Sequence, residues 1–169
     1  MNKEEILKEI EKTKKHLSNM QNMLEECGSE RWKPKSNEKY YYVNQLIAAS
    51  RAVNDEFDID AARYRTYNCF RTAEEAKREA EKILVRRQLE DIARRLNKDV
   101  KIDWRNDNQD KYCLVYDAGY HHINQDSSVN VIRQGTVYCL DRNFKDVAIK
   151  EIGEERLIKY LKGEINEES

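Results

Sequence analysis

The chain opens on a regular alternation of spacings. Ile6, Ile10, Thr13, Leu17, Met20, Leu24 and Cys27 follow one another at four- and three-residue steps, with Glu, Lys, Asn and Gln filling most positions between. That period places them on one seam of a helix. Asn2 with Glu5 supplies an N-terminal cap and Gly28 a stop. About three heptads is short for an autonomous coiled coil. Two roles therefore stand open: a helix docked on its own domain, or an oligomerisation helix using residues 2–27 to build a homodimer through Ile6, Ile10, Thr13, Leu17, Met20 and Leu24.

A polar connector holding the only proline, Pro34, leads to Lys39-Tyr40-Tyr41-Tyr42-Val43, an aromatic β-prone run that reads as a strand. Leu46–Val53 reads as a second strand, Asn54-Asp55-Glu56 as a turn, and 62–70 as a third strand. Thr72 with Glu75 forms a capping box opening a long helix over about 73–97. Ala76, Ala80, Ile83, Leu84, Leu89, Ile92 and Leu96 are its expected inward positions, and the apolar face drifts midway.

The pattern then restarts. Val100–Trp104 and Lys111–Tyr116 read as strands, 120–130 as a polar loop flanked by short β segments, and Gly135–Leu140 as a further strand. A helix over Phe144–Ile152, a break at Gly153 and a short helix over Glu154–Leu161 complete it. The two halves share a spacing. The two tryptophans, Trp32 and Trp104, are each followed at the same distance by Lys-Tyr-x-x-Val, at Lys39–Val43 and Lys111–Val115. Each block ends in Cys before a large apolar residue, Cys69-Phe70 and Cys139-Leu140, and then enters a helix. Self-similarity of this kind points to internal duplication. The expected fold class is α+β: an N-terminal heptad helix (1–28), then two related antiparallel β-meander-plus-helix units (29–99 and 100–162) and a polar tail (163–169).

Composition narrows the function classes. Charged residues make up 37% of the 169 positions, yet the net charge is −1, which argues against a general nucleic-acid coat. The longest apolar run, Leu46-Ile47-Ala48-Ala49, cannot span a membrane, and the N-terminus lacks an apolar signal region. Cys27, Cys69, Cys113 and Cys139 have no Cys-x-x-Cys spacing and read as reduced thiols, so a cytoplasmic protein is expected.

Candidate chemistry is sparse. His121-His122 are adjacent and point apart in a strand, and no zinc spacing is met. Cys113 or Cys139 with His122 is the one nucleophile–base pair to consider, but both cysteines alternate within apolar strands, where inert thiols are the rule. Five glycines form no phosphate-cradling loop. No enzyme, cofactor or metal is expected. Arg87, Arg94, Arg95 and Lys98 share roughly one face near the end of the long helix, interleaved with acids; they read as a solvated face or as a phosphate-binding one. Trp32, Tyr41 and Trp104 are the aromatic candidates for a partner surface.

Four stretches carry a resemblance to small, mostly uncharacterised phage and prophage proteins of Gram-positive bacteria. They are Trp32-x-Pro34 through Glu38-Lys39-Tyr40-Tyr41-Tyr42-Val43; Arg63 through Asn68-x-Phe70-x-Thr72-x-Glu74-Glu75-Ala76; Asp103-Trp104 with Gln109-x-Lys111-Tyr112 and Val137-Tyr138; and Ile152-Gly153-Glu154-Glu155-x-Leu157. Together they cover most of 32–161. Asn37 stands where that pattern has Gly, and Cys69 interrupts its Gly-Asn-x-Phe arrangement. The resemblance implies a phage or mobile-element origin; taken with the missing catalytic chemistry, the heptad helix and the aromatic-rich sheet, it leads to the expectation of an accessory protein that binds a host protein, a defence nuclease such as a CRISPR effector among the expected partners. The alternative is a nucleic-acid accessory protein using the Arg87–Lys98 face; a third reading is a small-ligand site between the repeats, in a closed polar-lined pocket.

Overall fold

The structure, a computed structural model, describes residues 10–14, 16–17, 31–98, 100–128 and 131–163. The chain divides into two compact units, residues 1–33 and 34–169. In the first, residues 10–14 and 16–17 are helical; Ile6, Met20, Leu24 and Cys27 lie outside the described residues. The second unit is a mixed α+β arrangement with two antiparallel sheets.

Strands β1 (Lys39–Val43) and β2 (Ala49–Val53) form a hairpin, Tyr41 opposite Arg51. The turn leading into it places Asn37 at φ 63, with Glu38 donating its N–H to the Lys35 carbonyl. The third residue of such a turn needs a left-handed backbone, which Asn tolerates best after Gly. On the edge of β1 away from β2, Tyr41 exchanges both backbone hydrogen bonds with Phe70, at 2.9 and 2.8 Å. Two residues along, the Asn68 side-chain amide bonds both the N–H and the C=O of Val43, each at 2.7 Å. A side chain there continues the ladder that the backbone of Phe70 begins.

Residues 62–70 are not a strand. They are occupied mainly by helix α1 (Asp58–Arg65) and its exit. Tyr64, Tyr67 and Phe70 give the stretch β-prone composition, but Asp58 and Asp60 charge the first turn favourably and the Asp60 carboxylate accepts the Phe57 N–H. The exit is a complete Schellman motif: Asn68 N–H to Arg63 C=O, Tyr67 N–H to Tyr64 C=O, and Tyr67 at φ 60.

Helix α2 (Ala73–Asn97) has the expected Thr72–Glu75 capping box. Its buried positions are Ala76 and Ala80, then Val85, Leu89, Ile92 and Ala93. The five-residue step between Ala80 and Val85 rotates the buried stripe, because the helix packs on β1 and β2 in its first half and on the second sheet in its last. Leu84, expected inward, is thereby left exposed, and Ile83 and Leu96 are only half-buried.

The second sheet has the order β4-β3-β5, from β3 (Lys111–Asp117), β4 (His122–Ser128) and β5 (Tyr138–Cys139). In each sheet a segment returns to the free edge of the first hairpin strand and leads into a helix, but at β1 it is the single bridge at Phe70, reached through α1, and at β3 it is strand β5. The hairpin loops differ in length, 44–48 against 118–121, but each carries an exposed apolar side chain just before a residue at positive φ. Leu46, the most exposed large apolar residue described, precedes Ile47 at φ 57; Tyr120, next most exposed, precedes His121 at φ 55. Three expectations fail here. Val100–Trp104 is not a strand: among the described residues it joins no ladder, and the Gln109 side chain instead bonds the Asp103 N–H and the Lys101 carbonyl. Most of 120–130 is strand β4 rather than loop; Ile123 is its one buried residue, so no period-two pattern marks it. Of Gly135–Leu140 only Tyr138 and Cys139 are strand.

Helices α3 (Phe144–Ile152) and α4 (Glu154–Lys162) follow as expected, divided at Gly153, whose φ of 95 favours glycine. The main core gathers Leu89, Ile92, Leu114, Phe144, Ala148 and Leu157 between α2, the second sheet and this helix pair. Arg156 of α4 bonds Glu81 and Gln88 of α2, tying the layers together at their edge.

Candidate interaction site

The last turns of α2, the segment 100–104 and the approach to β5 enclose an open cleft of about 500 Å³. Ala93, Val100, Ile102, Trp104, Val137 and Tyr138 supply apolar and aromatic lining, and Glu90, Arg94 and Lys101 bring charge to it. Two sequence candidates from different groups, Trp104 and Arg94, therefore share one site. Trp104 is set by an edge-on contact with Tyr138 (4.9 Å between ring centroids) and by the Lys111 ammonium 5.6 Å from its ring centroid. Lys111 is fully buried and donates to the Asn106 carbonyl at 2.8 Å. Its place in the Lys-Tyr-x-x-Val repeat was the only sequence sign of it, and Lys39, its counterpart, is exposed. Asn97 closes the inner end, its side-chain carbonyl accepting the Leu140 N–H at 2.7 Å and the Cys139 thiol at 3.2 Å. The opening and the apolar lining differ from the closed, polar-lined pocket of a small-ligand site between repeats.

The remaining candidates are dispersed. Trp32 is half-buried in the first unit, and Tyr41 is half-buried at the centre of β1. Arg94 pairs with Asp91 at 3.1 Å, and Arg95 with Asp91 at 3.0 Å and Glu151 at 2.5 Å. These partners hold the Arg95 guanidinium above its ordinary pKa, the bond to Glu151 contributing most. Arg87 is exposed, and Lys98, in the left-handed conformation, ends α2. Two of the four basic candidates, Arg94 and Arg95, are thus tied to carboxylates of their own fold.

A second polar cluster lies in the first sheet. The Tyr40 hydroxyl donates to Asp60 at 2.5 Å and accepts from Arg63 at 2.7 Å, and Arg63 also lies 3.7 Å from the centroid of Tyr42. Burial, then the bond to Asp60, pushes the Tyr40 phenol up to about 12, with Arg63 opposing. This cluster pins α1 to β1.

The cysteine–histidine pair does not assemble. Cys113 faces Asp126 across the ladder, four residues from His122, which is roughly 13 Å of strand. His122 instead meets Asn124 at 2.9 Å. Burial pushes the Cys113 and Cys139 thiols up, opposite to what a nucleophile needs. Among the described residues no His, Cys, Asp and Glu cluster is arranged for a metal, and no helix is long and apolar enough to cross a membrane. No family model, curated protein or solved structure matches this chain.

Proposed function

We propose that this is a non-catalytic phage or mobile-element accessory protein that works by binding a host protein, a defence nuclease being the foremost class of partner. The observation that carries the reading is the open cleft in which Trp104 and Tyr138 stand beside the rim cation Arg94. Aromatic side chains and arginine dominate the energetics of protein contacts. The resemblance of residues 32–161 to phage proteins supports the origin. The segment that returns to the free edge of the first hairpin strand in both sheets, and the helix that follows it, support descent by internal duplication. Capture from host lysate tests the function: wild-type chain should retain a partner that Trp104→Ala loses, and equal recovery by both, or none above background, would sink the cleft as the binding site.

The alternative, nucleic-acid binding through Arg87, Arg94, Arg95 and Lys98, has against it the carboxylates already paired with Arg94 and Arg95. It expects affinity that falls steeply with salt and with charge reversal at those two arginines.

A further inference from the structure

Helix α1 docks with its polar side inward. Its one buried residue is Asp60, gripped by Tyr40 and by the Phe57 N–H. The large apolar side chains at its start, Phe57 and Ile59, are 65% and 54% exposed. Burying such a side chain stabilises a fold by about 1.5–3 kcal/mol, which this fold forgoes twice. Val53, the last residue of β2, is exposed beside them in sequence. The display is fixed: the Asn54 side chain donates to the carbonyls of Pro34 and Lys35 and accepts the Glu56 N–H, so the chain enters α1 from a buried anchor.

The same segment is acidic. Asp55, Glu56 and Asp58 are exposed, and no Lys or Arg occurs from Ala52 through Ala62. Lys39 lies across the ladder from Val53, and Arg65 at the far end of the helix. We propose that the exposed start of α1, where Phe57 and Ile59 alternate along the chain with Glu56 and Asp58, docks into a basic protein groove holding an apolar pocket, the kind of groove in which a nucleic-acid-binding protein holds its phosphate backbone. This rests on the reading of the chain as a protein-binding accessory factor and names the chemistry of its partner. Electrostatics chooses among occupants. Three carboxylates repel phosphate backbones, anionic lipid and the same face of a second copy. They attract lysine and arginine, while the two apolar side chains need a pocket that water leaves.

The test uses the full chain and a fluorescein-labelled peptide of alternating lysine and leucine as the basic, apolar probe. Saturable binding is expected, weakened about tenfold or more both by Phe57→Ser with Ile59→Ser and by Asp55→Asn with Glu56→Gln and Asp58→Asn. All five side chains are exposed, so melting temperatures should fall by a few degrees at most, the loss of the Asp58 charge from the first turn of α1 included. No saturable binding overturns the proposal. So does binding that survives the Phe57/Ile59 change, since charge alone then explains it, or preferential binding of duplex DNA or anionic vesicles. Trp104→Ala should leave probe binding intact. Probe binding without any host capture defeats the proposed function and spares this inference; Trp104-dependent host capture without probe binding does the reverse.

Discussion

Among the described residues, six that are not glycine sit at positive φ: Asn37, Ile47, Glu56, Tyr67, Lys98 and His121. Tyr67 is the clearest test of what this conformation costs, because it occupies the Schellman position that glycine normally takes and its ring is largely exposed. Tyr67→Gly should stabilise the protein by about 1 kcal/mol, read as a higher urea midpoint at unchanged slope. Tyr40 makes the opposite kind of residue. The alternation of Tyr40, Tyr41 and Tyr42 was enough to put the first and third on one face, and Arg63 does lie against both. That Asp60 would reach the hydroxyl was not legible, because the pair is twenty positions apart and α1 read as β-prone. Unfolded, Tyr40 loses its proton near pH 10; folded, it holds it to about 12. The unfolded state therefore binds fewer protons in that window, and stability falls as pH rises through it. Below pH 10 the contribution is fully present. Denaturation at pH 8 and pH 11 should show a steeper loss in wild type than in Tyr40→Phe, and the variant should be less stable by about 1–3 kcal/mol at pH 8.

At the scale of elements, legibility followed how much of each element's pattern came from its own packing. The Thr72–Glu75 box and Gly153 are local signals, and α2, α3 and α4 follow them closely. Strand β4 buries only Ile123, so its polar residues carried no strand signal until β3 supplied the pairing. Val100, Ile102 and Trp104 alternate because an extended segment lines the cleft, which periodicity alone cannot tell from a strand. Helix α2 shows the same limit within one element. A single stripe through Leu84 fits the sequence, whereas serving two sheets rotates the stripe and turns Leu84 outward. The two positions should separate in a denaturation experiment: Ile92→Ala, 2% exposed, should cost about 2–5 kcal/mol, and Leu84→Ala under about 1 kcal/mol. Equal losses would mean that the stripe runs as the sequence alone suggests.

At the scale of the whole molecule, the cleft joins Trp104 to Arg94 across the end of α2, a juxtaposition that no spacing in the sequence encodes. The N-terminal segment poses the remaining whole-molecule question. In its described part, Ile10 and Leu17, two of the seam residues, are 45% and 54% exposed. A helix this short gains little from propensity alone and depends on covering its apolar seam. We propose that a second copy of the same seam is that cover, the role that the four-and-three spacing of Ile6, Ile10, Thr13, Leu17, Met20 and Leu24 leaves open beside docking on its own chain. The full chain should therefore show the mass of a dimer in light scattering, and a chain starting at Gly28 the mass of a monomer, with the core of residues 34–169 still folding cooperatively. Thr13, polar on the seam, should weaken the pairing, so Thr13→Ile should move the dimerisation midpoint to lower concentration. A mass that does not change on removing residues 1–27 would end the case for dimerisation through this helix. The interaction surfaces proposed on residues 34–169 would then have to act singly rather than in pairs, without the gain in effective concentration that two linked copies provide.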